Sequence, residues 1–157
     1  MPPLIALAYS FGLLSPHQAL VAFTTSMAAA SADTMASEIG VLSPSPVLIT
    51  NPSKVVEPGV DGGISFEGLT ASFLSSVSIS MLAYAGFLVL IEENHAFSAS
   101  IELNYLFISV FFGFLGSVID SFLGATLQNK EILTNNGVNL VSISISVLLS
   151  LAFLEFL

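Results

Sequence analysis

Cysteine is absent from this sequence, which excludes disulfides and thiolate-bound metals at once. Basic residues are nearly absent too: Lys54 and Lys130 are the only two, against 11 acidic residues. Nucleic-acid binding rests on Lys and Arg neutralising phosphates, so a chain with two bases and a net charge of −9 is not built for it. Charge of either sign is scarce, at 8% of 157 residues, where a soluble domain carries about 25%. So little polar surface cannot cover a folded chain in water. With 54% hydrophobic residues and a mean hydropathy of +0.93, the composition is that of an integral membrane protein surrounded by bilayer lipid. No basic segment precedes the apolar run from Pro3 to Leu14, which argues against a signal peptide.

What the sequence does have is long apolar runs. A spanning helix needs about 20 such residues. Leu69 to Ile91 runs 23 residues without a charge, Leu103 to Leu127 is interrupted only by Asp120, and Val138 to Leu154 closes the chain. A further run starts at Ser15-Pro16, with Ser placed to cap and Pro at the first helical position, and continues to about Ile39. The expectation is one all-α polytopic membrane domain over residues 1–157, with about four transmembrane helices at 16–39, 69–91, 103–127 and 138–154. Pro3 to Leu14 is too short to span alone and reads as the tail of a missing or re-entrant segment, or as a short extra N-terminal helix.

Gly40 to Gly68 holds Pro44, Pro46, Pro52, Pro58 and several glycines, so it is a loop that cannot be helical throughout. Threading four spans places this loop and Gln128–Gly137 on one face, and Glu92–Ser100 on the other. Both lysines then share a side, which the positive-inside rule assigns to the cytoplasm. His17 and His95 are isolated and read as interfacial.

The stretch SADTMASEIG, Ser31 to Gly40, ends 32 residues without Asp, Glu, Lys or Arg. On a helix, Ser26, Ala29, Ala30, Asp33, Ala36, Ser37 and Gly40 form a stripe at steps of three and four. Gly113, Gly116, Ser117, Asp120 and Gly124 repeat the device, and Asn139, Ser142 and Ser146 share a third face. Small residues let helices approach closely in a bilayer. The same faces suit a homodimer as well as an intramolecular bundle. The plain reading is that these are packing seams. An acid at membrane depth, however, costs about 2.5–3.5 kcal/mol even on insertion scales and is by default a functional candidate. Asp33 and Asp120 are therefore expected as an intramembrane pair at matching depth, with Glu38 nearer the interface.

In the loop, Gly59, Gly62 and Gly63, followed by Ser65, allow a turn whose amides face an anion. Lys54 lies just upstream as a counter-charge, and Asp61 within the turn is a candidate ligand for a hard cation. In TNNGVN, Thr134 to Asn139, the Asn-Gly pair signals a turn, with Asn136 as the expected cap of the last helix. The functional alternative is that Asn136 and Asn139 read a nucleotide at that helix start. Carboxylates facing a phosphate turn make the donor set of a Mg²⁺–nucleotide site, because Mg²⁺ takes one or two carboxylates together with phosphate oxygens. Asp33, Glu38, Asp61 and Asp120 are the candidate metal ligands.

Five motifs in order, ADTMASEIG, LIT-x-x-x-K, EPGVDGGIS, GSVIDSFLGATLQ and NNGVNLVS, resemble the transmembrane protein 19 family of polytopic membrane proteins. That family includes plant phytyl-phosphate kinase of the vitamin E pathway. The match runs from about Leu20 to the C-terminus. Asp33, Ala36 and Gly40, followed by Lys54 and Glu57-x-Gly59, are more loosely similar to dolichol kinase-type CTP-dependent lipid kinases. The resemblance implies Mg²⁺-dependent phosphoryl transfer from a nucleoside triphosphate, with CTP as the candidate donor, to an isoprenoid monophosphate. Asp33 and Asp120 would then be metal or catalytic acids. Lys54 and the Gly59–Gly63 turn would hold phosphates, and Asn136 or Asn139 the nucleotide. The family pattern has further spans and a basic segment ahead of the position of Leu20. Met1 to Ala19 carries no base, so a truncated form or a partner supplying those residues is expected. The rival reading is a non-enzymatic transporter or scaffold in which Asp33 and Asp120 bind a proton or cation.

Overall fold

The computed structural model describes residues 1–93 and 102–156. The chain forms α1 (Pro2–Ser10), α2 (Pro16–Gly40), α3 (Phe66–Glu93), α4 (Leu103–Leu123) and α5 (Asn135–Leu154). A π-helical turn, Gly124–Gln128, continues α4. Three stretches are long and apolar enough to cross a membrane among the described residues: Phe66–Val89, Leu103–Gln128 and Asn135–Leu154. The all-α membrane architecture expected from the sequence is therefore present.

The fourth expected span, α2, differs in kind. It is 25 residues long, enough to cross, but it falls outside the apolar set because Thr, Ser and Ala fill it. Its position explains that composition. It packs against α1, α3, α4 and α5, and Val21, Ala22, Thr25, Ala28 and Ala32 are fully buried. The face of α2 turned to its neighbours has no need of the apolar surface that lipid-facing helices require, while Phe23, Met27 and Met35 stay exposed on its other side. Its start is built as the sequence implied. Ser15 Oγ accepts from the Gln18 N–H at 3.2 Å, and Gln18 Oε1 accepts from the Ser15 N–H at 2.8 Å, a reciprocal cap.

Small residues bring the helices together. A Cβ added at Gly113 would lie 2.6 Å from Ala28 Cβ, and one at Gly116 would lie 2.7 Å from Ala29 Cβ. At Gly68 it would lie 2.8 Å from Ala36 O. No side chain larger than hydrogen fits these crossings, which hold α3 and α4 against α2. Hydroxyls secure the α2–α3, α3–α4 and α4–α5 seams. Ser31 and Ser75 bond at 2.8 Å, Ser76 donates to Val110 O at 2.8 Å, and Ser146 donates to Phe112 O. At the opposite end α1 folds back on the bundle, with Ile5 buried among Ala22 and Val147. His17 stacks on Tyr105 there at 5.4 Å. His95, with the rest of residues 94–100 in the second connection, lies outside the described residues.

The Gly40–Gly68 loop contains a small antiparallel sheet that the sequence reading did not anticipate. Strands β1 (Val47–Leu48), β2 (Asn51–Val55) and β3 (Gly63–Ile64) are arranged β2-β1-β3. Two of the three are only two residues long, too short to show any alternation.

A candidate metal–phosphate site at the loop end of the bundle

Where the loops cap the bundle, Asp33 on α2 and Asp120 on α4 line one cavity, near enough for their charges to act on each other. The small-residue faces permit this, since the Ala29–Gly116 crossing lies one helical turn deeper than the acids on both helices. On α5, Ser142 is 2% exposed, and its hydroxyl donates to Asp120 Oδ2 at 2.8 Å. Asp120 is itself 9% exposed. Two carboxylates facing one cavity repel unless they share a proton or a cation, so this arrangement favours a positive species.

The pair opens into a cavity of about 380 Å³. Its far wall is the turn at Val60–Gly63, closed by the Gly63 N–H donating to Val60 O at 2.9 Å. Gly62 stands third in that turn with φ 79°, a left-handed conformation that a β-turn reserves for glycine. Gly62 is also pressed onto the π-helical turn, leaving no room for a Cβ beside Ala125. Asn129 Nδ2 donates to Asp61 O at 3.1 Å and ties the turn to the α4–α5 connection. The π-helical turn, with the Asn129 N–H reaching Gly124 O at 3.1 Å, widens the end of α4 where the loop docks.

The expected site residues divide into two groups. Asp33, Asp61, Asp120, Gly59, Gly62, Gly63, Ser65 and Asn139 all line the cavity. Ser65 has a second role there, its Oγ accepting from the Gly68 N–H at 3.1 Å to cap α3. Lys54, Glu38 and Asn136 do not line it. Lys54 is exposed on β2, and β1 separates that strand from β3 at the cavity wall. Two strand spacings, about 10 Å, stand between them. Glu38 follows Asp33 by five residues, which turns it about 140° around the helix to an exposed face. Asn136 is exposed because Thr134, not Asn136, caps α5, accepting from the Gly137 N–H at 3.2 Å. The helix therefore starts earlier than the turn signal suggested, and Asn135 and Asn139, one turn apart, face the cavity instead. Asn135, Gln128 and Thr34 are cavity residues that the sequence reading missed. The four-residue step from Asn135 to Asn139 is a sequence signal for Asn135; nothing comparable marks Gln128 or Thr34. No group of three or more His, Cys, Asp or Glu close enough to hold a metal occurs among the described residues, so the four-acid ligand set expected from sequence is corrected to the Asp33–Asp120 pair. Asp61 stands apart at the mouth, near enough for its charge to act on Asp120.

The donor types present fit a hard divalent cation. Among the described residues the charged side chains lining the cavity are all acids, and Asn139 Oδ1 is buried there with no hydrogen-bond partner. Oxygen donors of this kind are those that Mg²⁺ takes.

Residues 1–147 match the family described as integral membrane protein DUF92. The chain belongs to that family. An uncharacterized membrane protein of Methanocaldococcus jannaschii is 34% identical over 143 residues, covering 90% of this chain and 53% of that protein. Protein PGR of Arabidopsis thaliana is 31% identical over 149 residues, 78% of this chain and 50% of that protein. An uncharacterized membrane protein of Synechocystis is 30% identical over 139 residues, 87% and 49% respectively. The chain thus spans about half the length of these curated relatives. No solved structure matches it.

Proposed function

We propose that this DUF92-family chain carries the metal–phosphate site of a membrane-embedded phosphotransferase, with a nucleoside triphosphate as donor and an isoprenoid monophosphate as acceptor. CTP is the candidate donor, on the resemblance to the transmembrane protein 19 and dolichol kinase-type motifs. The observation that carries the proposal is the cavity in which the Asp33–Asp120 pair faces the glycine turn. Asp33 and Asp120 would hold Mg²⁺, with Asp61 at the mouth. When bound, the ion neutralises phosphate charge and so supplies most of the catalysis such a transfer needs. The chain's own contribution is positional. Ser142 fixes one oxygen of Asp120, and the Val60–Gly63 turn, locked by Gly62 and Asn129, gives a rigid wall against which phosphate can rest. The bilayer supplies the acceptor lipid from the side. The exposure of Lys54 and Lys130 at this end supports a cytoplasmic placement by the positive-inside rule.

A second reading, a cation or proton transporter, has one observation in its favour. The hydroxyls of Ser72, Ser80 and Thr25 are buried without partners among the described residues, Ser72 near the level of Asp33 and the other two deeper in the bundle. Isothermal titration in detergent with Mg²⁺ and CTP, ATP or GTP separates the two. The phosphotransferase binds at least one nucleotide, and only with Mg²⁺. Binding of the bare cation with no effect of any nucleotide would favour the transporter and reject the first reading.

A further inference from the structure

The amide oxygen of Asn139 is buried in the cavity wall, and no donor among the described residues reaches it. A buried acceptor left unmatched costs stability, and its surroundings make matters worse. Asn139 precedes Ser142 by three residues on the same face of α5, and the Ser142 hydroxyl lies 2.8 Å from Asp120 Oδ2 and 3.1 Å from Asn139 O. The side chain of Asn139 therefore stands about one turn nearer the loops than the acid pair, on the wall of the same cavity. Three oxygens with a common need for positive charge thus come from three helices: Asp33 from α2, Asp120 from α4 and Asn139 from α5.

We infer that Asn139 Oδ1 is a cation ligand alongside Asp33 and Asp120, and not a reader of the nucleotide base. The inference rests on the reading of the cavity as a cation–phosphate site. Hard divalent cations accept asparagine carbonyls together with carboxylates, and one ion satisfies all three oxygens where a hydrogen-bond donor would satisfy one. A mixed set of two carboxylates and one neutral oxygen spares the ion a third negative ligand, so it still attracts phosphate. That matters in a cavity whose charged lining is acidic. Asn135, exposed and one turn closer to the mouth, is left as the amide that meets the bulk of the nucleotide.

The test is Mn²⁺ titration followed by electron paramagnetic resonance, on the full chain in detergent and without nucleotide. The wild-type chain should bind Mn²⁺ saturably. Asn139→Leu, similar in size but without the oxygen, should raise the Kd at least tenfold, while Asn139→Asp should bind as tightly as wild type or more tightly. Asp33→Asn serves as the control for the site itself and should abolish binding. If Asn139→Leu binds like wild type while Asp33→Asn does not, the ligand role of Asn139 is overturned and the site stands. Equal loss in Asn139→Leu and Asn139→Asp would assign the residue to packing and also overturn the inference. Wild-type affinity in Asp33→Asn, or no saturable binding to the wild-type chain, would overturn both the inference and the cation reading of the cavity.

Discussion

Gly116→Ala should damage both the fold and the site, and Ala29→Gly should repair both. A methyl at Gly116 would lie 2.7 Å from Ala29 Cβ and 3.1 Å from Ser146 Oγ. Carbon atoms pack at about 3.5–4.0 Å, so α2 and α4 must part by about 1 Å for the new group to fit. Overpacking of this kind costs about 1–3 kcal/mol. For a chain of this size each kcal/mol is worth about 2–4 °C, which gives a drop in melting temperature of about 2–12 °C. The chain has no tryptophan, so helical circular dichroism in detergent is the suitable readout. Because Asp33 and Asp120 each lie four residues beyond this crossing, the same displacement pulls the acid pair apart, and Mn²⁺ affinity should fall with the melting temperature. Ala29→Gly alone costs about 1 kcal/mol in helix propensity. In combination with Gly116→Ala it removes the closest contact and leaves only the milder approach to Ser146 Oγ at 3.1 Å, so the double variant should be more stable than the sum of the two losses and should regain Mn²⁺ binding. Additive losses, or a Gly116→Ala chain that melts like wild type, would refute the close approach on which the site depends.

Two other substitutions probe separate parts of the account. Ser142→Ala removes the 2.8 Å bond to Asp120 Oδ2. A partner that orients a metal ligand is worth about 10–100-fold in metal affinity, so Mn²⁺ affinity should fall roughly tenfold or more by resonance titration, with helical content unchanged. For topology, cysteines introduced at Lys54 and at Glu102, both exposed and at opposite ends of the bundle, should react with an impermeant thiol reagent from opposite sides of sealed vesicles. Reaction of both from one side would refute the arrangement of spans.

Much of this site was legible in the sequence because its logic is local. The step of three and four residues through Ala29, Asp33, Ala36 and Gly40 is a helical period, and so is that through Gly113, Gly116 and Asp120. Two acids embedded in small-residue faces at equal distance from loops on one side had to meet if those helices touched. What was not legible depends on non-local pairing. Lys54 looked like a phosphate ligand because it is near the glycines in sequence. Strand order decides otherwise, and dipeptide strands leave no periodic trace. The Asn-Gly turn signal points to Asn136 as the cap, whereas Thr134 caps the helix, and Asn135 and Asn136 stand about 100° apart around it, so that Asn135 and not Asn136 lines the cavity. Glu38 was grouped with Asp33 by proximity in the chain, although five residues is the wrong phase for one face. The polarity of α2 has the same origin. Length and charge suggested a fourth span like the others, whereas its wealth of Thr, Ser and Ala reflects a central position that only the packing reveals.

The most direct test of the central claim, that the Asp33–Asp120 cavity holds a cation together with phosphate, is pulsed electron–nuclear resonance on Mn²⁺ bound to the wild-type chain, with CTP, ATP or GTP present. Mn²⁺ held in the cavity with a nucleotide should show hyperfine coupling to ³¹P in at least one of the three samples. That coupling should vanish in both Asp33→Asn and Asp120→Asn, whose helical content should match wild type. Protein-bound Mn²⁺ without ³¹P coupling in all three samples, or coupling that survives both substitutions, would contradict the account.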